Sequence, residues 1–388
     1  MATSPLRVGL FGIGLDAYWP QFAGLKERLE GYVARVAGRL ARPGVEVVNL
    51  GLIDQPERAY AAGHEFRQAD VDLIFLHVTT YALSSTVLPV VRRAKVPVII
   101  LNLQPAPAID YAAFNRLGDR TRMTGEWLAH CGACPVPEIA NVFQRAGVRF
   151  HQVTGQLDDD PPCWREIEGW LEAARVVAGL EGNRLGLMGH YYGGMLDIAS
   201  DTTLQFHDVF DVQADCPEDA LAEAARTSVA LDQLVAQRRL GSLAYYYSGT
   251  GVPENEATLA SIILGTSLLT GRGIPVAGEY EVKNAQAMKI LDLLGVGGSF
   301  TEYYAMDYRD DVVLMGHDGP GHIRMAEGKP KVRPLQVYHG KVGRGVSIEM
   351  SVRHGPVTLL SVIEHGPGQL ALLCAEAESV PGPILEIG

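Results

Sequence analysis

The 388-residue chain lacks any apolar run of membrane-spanning length. The longest, Val96 to Leu103, is strand-sized against the roughly 18 residues a bilayer helix needs, so no helical membrane span is expected. Positive charge is in deficit: 33 basic against 45 acidic side chains leave a formal net charge of -12, which opposes the phosphate neutralisation that nucleic-acid binding requires. No nucleic-acid partner is expected. Cysteines are few, five in all at Cys131, Cys134, Cys163, Cys216 and Cys374, and an odd count at irregular spacing reads as reduced thiols in a cytoplasm. Met1 to Arg7 offers no charged leader, apolar core or small-residue cleavage site, so no secretory signal is expected and the localisation is read as cytoplasmic. Internal repeats and low-complexity tracts are absent as well.

What is present is an ordinary globular composition, 47% hydrophobic and 20% charged, over a length that favours two or three domains. Up to about Leu180, short β-rich apolar runs alternate with amphipathic stretches, the pattern of βαβ units around a parallel sheet. Strands are expected at Arg7 to Ile13, Val45 to Leu52, Val71 to Val78 and Val96 to Leu103. Between the first two, Leu25, Leu29, Val33, Val36 and Leu40 recur at three and four and define one face of a helix over Phe22 to Leu40.

A second α/β segment starts past the polar link Glu181 to Asn183. It carries strand Arg184 to Met188, a glycine-rich turn from His190 to Met195, helix Ala220 to Arg238, strand Ser242 to Tyr247 and helix Glu254 to Thr270. After Gly298 helical periodicity stops, and Leu335 to His339, Val346 to Val352, Val357 to Ile363 and Leu370 to Ala375 read as strands of an antiparallel module. The expected fold class is therefore α/β, with two doubly wound parallel-sheet domains (1–181 and 182–298) followed by a C-terminal antiparallel β module (299–388).

Two motifs near the start carry less chemistry than they suggest. Gly9 to Gly14 superficially matches a dinucleotide-binding turn, but Ala17 stands where the third glycine belongs and Pro20 interrupts the helix start, so a tight strand-to-helix turn is expected. Cys131-Gly-Ala-Cys134 is one pair of thiols where a structural zinc wants four ligands, and it reads as thiols at a helix edge.

The more telling constellation comes later: Gly278-Glu279 opening a helix, Phe300-Thr-Glu302 on a strand, and Gly316-His317 after the next strand. Two carboxylates and an imidazole, each at the end of a regular element, are a donor set that suits a Mn²⁺-type ion. Spacing alone also allows ordinary surface acids and a turn histidine.

These segments, together with Gly14 to Gln21, His130 to Glu138 and Gly189 to Met195, resemble in order, over about 300 residues, the L-arabinose and L-fucose isomerase family, most closely its L-arabinose isomerases. The resemblance implies that Glu279, Glu302 and His317 bind a divalent metal, usually manganese, with Glu279 and Glu302 as the catalytic acid and base. It implies that Gln21, His130 and Met195 line a sugar pocket, with Tyr18 and His190 as further candidates. The implied reaction is L-arabinose to L-ribulose, and D-galactose to D-tagatose, through a cis-enediol. L-fucose or D-arabinose isomerisation and non-catalytic sugar binding are the alternatives. The implied assembly is a homo-oligomer, a tetramer or hexamer, with the site shared between subunits.

One departure stands out. The family continues into a segment supplying a second histidine ligand, often in a His-His pair. This sequence has no such pair, and His339, His354 and His365 do not match the motif. The C-terminal module is accordingly read as incomplete.

Overall fold

The computed structural model describes residues 5–188, 202–246, 251–335, 345–366 and 368–382. By internal contacts the chain divides into two units, Met1–Ala178 and Gly179–Gly388.

In the first unit the elements run β1 (Leu6–Ile13), α1 (Leu25–Leu40), β2 (Val45–Ile53), α2 (Pro56–Gln68), β3 (Leu73–His77), α3 (Leu88–Ala94), β4 (Val98–Gln104), α4 (Tyr111–Asn115), α5 (Arg120–Leu128), α6 (Val136–Arg145), β5 (Phe150–Gln156) and α7 (Pro161–Glu181), whose last residues pass into the second unit. The five strands form one sheet in the order β2-β1-β3-β4-β5, and every pairing is parallel.

Alternation along the strands feeds two cores. Leu73 and Phe75 of β3 face a cluster with Leu29, Val33 and Val36 of α1 and Ile167 and Leu171 of α7. Ile74 and Leu76 face the other side, with Ala62 and Phe66 of α2, Val90 of α3 and Phe143 of α6. Burial on both faces explains why the inner strands read as continuous apolar runs, whereas edge strand β5 carries His151, Gln152 and Thr154 exposed to solvent.

The second unit contains β6 (Leu185–Met188), α8 (Thr202–Val209), β7 (Asp211–Val212), α9 (Glu218–Arg238), β8 (Ser242–Tyr245), α10 (Pro253–Ala260), α11 (Ile262–Gly271), β9 (Val276–Ala277), α12 (Val282–Leu293), β10 (Glu302–Asp307), β11 (Val312–Gly316), β12 (Lys331–Leu335), β13 (Gly345–Glu349), β14 (Gly355–Gly366) and β15 (Gln369–Ser379). Strands β6, β8 and β9 make a second parallel sheet in the order β6-β8-β9. Helices α9, α10 and α11 supply Leu231, Leu259 and Ile263 to one cluster with Leu243 and Val276, while Ala285 and Met288 of α12 join Ala244 and Ala277 in another.

The C-terminal strands are antiparallel in β10-β11, β12-β13 and β14-β15. Strand β12 also pairs in parallel with β7, so the region after Gly298 shares a small sheet with a strand from before it.

One expected element is corrected. The single helix read over Glu254 to Thr270 is interrupted at Ser261, whose backbone (φ -104°, ψ 5°) leaves the helix between α10 and α11. The Ser261 hydroxyl donates to the Thr258 carbonyl at 2.9 Å and lies 2.6 Å from the Thr227 hydroxyl on α9, a local side-chain competition with the helical ladder. The expected strand Leu335 to His339 has only Leu335 within the described residues, at the end of β12.

Candidate functional site

In open α/β sheets, ligands meet the loops beyond the carboxyl ends of the strands. Gly278 and Glu279 directly follow β9 on that rim. There the chain makes a sharp turn: Glu279 and Tyr280 have φ of 58° and 63°, a left-handed conformation that costs L-residues roughly 1–2 kcal/mol each. The turn is tied to the neighbouring strand, because the Tyr280 amide donates to the Tyr245 carbonyl at the end of β8 at 2.8 Å, and it leads into α12.

The hairpin β10-β11 brings the other two residues to this rim. Glu302 opens β10 and pairs with Gly316, the last residue of β11, so His317 comes next to the Glu302 register position. The imidazole of His317 is wedged between glycines: a Cβ on Gly278 would sit 2.8 Å from its Nε2, and one on Gly319 would sit 2.4 Å from its Cε1. Phe300 closes a further side, its ring edge-on at 4.4 Å between centroids. His317 Nδ1 lies 3.4 Å from the Pro320 carbonyl, which can only accept.

Tyr304, which the sequence reading did not single out as a site residue, belongs here too. Tyr303 pairs with Met315 and Ala305 with Leu314, so Tyr304 is the extra residue of a β-bulge, a device that re-aims side chains. Its ring packs onto Gly316. Its hydroxyl is held above the usual phenol range by burial first, then by the charges of Glu302, Asp318 and Glu279; the Asp318 amide donates to it and opposes the shift. The three carboxylates therefore surround one phenol.

Glu279 is exposed and Glu302 and His317 are half-buried, a distribution open to a polar ligand. Two carboxylates and an imidazole are the donor types that a manganese-type cation takes. As they lie, however, no group of three or more His, Cys, Asp or Glu among the described residues stands close enough to grip one ion. His354, just before β14, and His365, within it, are exposed and form no such group among the described residues either. His339, like His190 and Met195, lies outside the described residues.

The glycine slot makes a prediction. Gly278→Ala should displace the imidazole, lowering Mn²⁺ affinity by roughly tenfold or more, as loss of ligand orientation generally does, while leaving the circular dichroism spectrum unchanged. Calorimetric titration with Mn²⁺ checks it, and unaltered affinity would remove His317 from the ligand set.

The remaining candidates lie in the first unit, at the carboxyl rim of its sheet. The strand order reverses beside β1 and β3, and the loops after those two strands are where a crevice is expected. Tyr18 sits in a short 3₁₀ turn after β1, Asp16–Tyr18, and its hydroxyl is raised above the usual range by burial first, then by Tyr81, Cys131 and Cys134. Gln21 is exposed, with its side-chain amide donating to the Ala17 carbonyl at 2.6 Å. His130 is half-buried, with Nδ1 3.0 Å from the Glu126 carbonyl.

No protein-family model matches the chain, and no curated protein matches it. Among solved structures, it matches a solute-binding protein of an ABC transporter from R. palustris, in complex with 4-hydroxybenzoate, at 11% identity and a TM-score of 0.20, over 77% of this chain and 86% of that one. Among the described residues no helix is long and apolar enough to cross a membrane.

Proposed function

We propose that the chain is a cytoplasmic, divalent-metal-dependent aldose–ketose isomerase that converts L-arabinose to L-ribulose and, as a second reaction, D-galactose to D-tagatose. Manganese is the ion expected, and a tetramer or hexamer with sites shared between subunits is the expected assembly. The observation that carries the reading is the His317 imidazole, seated in a slot against Gly278, the residue before Glu279, and next to the register position of Glu302. The chain carries these three residues, far apart in sequence, near one strand rim and in the order of motifs of the isomerase resemblance, although they do not converge on one ion position as they lie.

Isomerisation removes the C2 proton of the aldose and delivers a proton to C1, with charge developing on the oxygens of both carbons. A divalent ion held by Glu279, Glu302 and His317 would polarise those oxygens. Of the two carboxylates, one takes the C2 proton and the other holds the hydroxyl protons. His317 stays fixed by Pro320 and its glycine walls, and Tyr304 keeps its proton among the acids. In the first unit, Tyr18, Gln21 and His130 are the groups offered to sugar hydroxyls, with Met195 and His190 assigned to the pocket by resemblance.

A second reading, a non-catalytic sugar-binding protein on the same scaffold, is favoured by side chains that stop short of a common ion position. Assay of ketose formation from a panel of aldoses, with Mn²⁺ and with a chelator, separates the two. Turnover of L-arabinose that requires Mn²⁺ supports the isomerase. Turnover of L-fucose or D-arabinose instead reassigns the substrate, and sugar binding with no turnover of any aldose overturns the catalytic reading.

A further inference from the structure

The segment between α5 and α6 carries two thiols that no step of the isomerisation uses. Cys131 and Cys134 stand three residues apart in consecutive turns, the first buried and the second exposed. The Cys131 amide donates to the Leu128 carbonyl at the end of α5, and the Val136 amide donates to the Ala133 carbonyl at the start of α6, so both ends of the turn are anchored. Between the thiols, Gly132 presses against the end of β3: a Cβ there would lie 2.6 Å from the Val78 carbonyl oxygen. Cys134 is near enough to raise the proton affinity of the inner thiol, and the Tyr81 backbone lowers it slightly.

We propose that Cys131 and Cys134 are a redox-active dithiol, in which Cys134 is the attacking thiol and Cys131 the resolving one, reacting with a small-molecule disulfide such as glutathione disulfide. The inference is independent of the isomerase reading. An exposed sulfur can meet the oxidant, and a buried partner a turn away can complete the exchange.

In the first step the Cys134 thiolate attacks one sulfur of the oxidant, forming a mixed disulfide and releasing one glutathione thiolate. In the second, Cys131 loses its proton to solvent and attacks the Cys134 sulfur, closing the intramolecular disulfide and releasing the second glutathione thiolate. Two protein thiols are oxidised and one glutathione disulfide is reduced to two thiols, so atoms and electrons balance.

The burial pattern sets the order of the steps. Cys131 is pushed up to about 12 by burial first, then by sharing its proton with Cys134 and by the Cys134 charge. It therefore starts as a protonated donor. Once Cys134 is held in the mixed disulfide, the last two causes vanish and Cys131 ionises more readily.

The test equilibrates the full chain with glutathione buffers of increasing oxidation, alkylates the remaining thiols, and weighs the peptide containing both residues. The expected product is that peptide lighter by two hydrogens and unalkylated at both positions. Cys131→Ser should instead accumulate glutathione on Cys134, and Cys134→Ser should leave Cys131 as a free thiol. The proposal is overturned if the unmutated chain stably carries glutathione on Cys134 with Cys131 still alkylatable, or if neither residue reacts under conditions that oxidise the exposed Cys374. The measurement on the unmutated chain decides the matter even if the Cys131 variant fails to fold.

Discussion

Glu302→Gln, and separately Glu279→Gln, is expected to reduce kcat for aldose isomerisation by about 10³-fold while leaving the fold intact. The magnitude follows from removing a positioned proton-transfer group, typically worth 10²- to 10⁴-fold, and glutamine keeps the shape while abolishing the basicity. The fold should tolerate both changes because Glu279 is exposed at the β9 rim and Glu302 is half-buried at the start of a hairpin. Steady-state assay with saturating Mn²⁺, alongside thermal unfolding of each variant, gives the answer. Near-full activity in either variant would show that the carboxylate it replaces moves no proton. Because glutamine can still offer a carbonyl oxygen to a cation, Mn²⁺ affinity should fall less than turnover.

Acid should destabilise the first unit through His77. This histidine ends the central strand β3, is fully buried, and faces the same side of the sheet as Phe75. Among the described residues neither ring nitrogen has a partner of good hydrogen-bonding geometry. Burial is the main reason its imidazole is lowered from 6.5 to about 4, with the Arg35 charge adding to it; the approach of the Leu103 backbone opposes the shift without cancelling it.

The unfolded chain then binds a proton at His77 near pH 6.5 and the folded chain only near pH 4, so stability is lost as pH falls through that window. The full loss is about 3 kcal/mol, and about 2 kcal/mol of it is reached by pH 5. His77→Leu, which needs no proton and no partner, should flatten this dependence. Hydrogen exchange at the β3 amides at pH 7 and pH 5 reads the difference, and equal pH sensitivity in the variant would mean that the buried imidazole already has a way to accept its proton.

Much of the architecture could be read from the chain. The apolar runs at β1, β2, β3 and β4 fell within two or three residues of the observed ends; for the inner strands β1, β3 and β4 this is because burial on both faces leaves little room for polar residues. Helix α1 followed from its apolar spacing. The order β2-β1-β3-β4-β5 did not follow, since which strands lie side by side depends on helices crossing from one face to the other. Helices α4 and α5 were missed although a local signal was present: Asp110 and Asp119 cap them by accepting from the amides of Ala113, Thr121 and Arg122.

Glu279, Glu302 and His317 were grouped in the sequence only by the order of motifs in the resemblance. The approach of His317 to Gly278 depends on how the β10-β11 hairpin seats, which spacing cannot reveal. Tyr304 was harder still, because its place arises from one extra residue in a ladder, a mismatch visible only once the partner strand is known.

The turn at Glu279 and Tyr280 has a further consequence for how the protein fails. Two successive side-chain-bearing residues wound the wrong way persist only while the Tyr245 carbonyl and the packed helix beyond them hold on. On heating, this corner should let go before the parallel strands behind it, so that the rim at Glu279 is lost while most of the secondary structure is still standing.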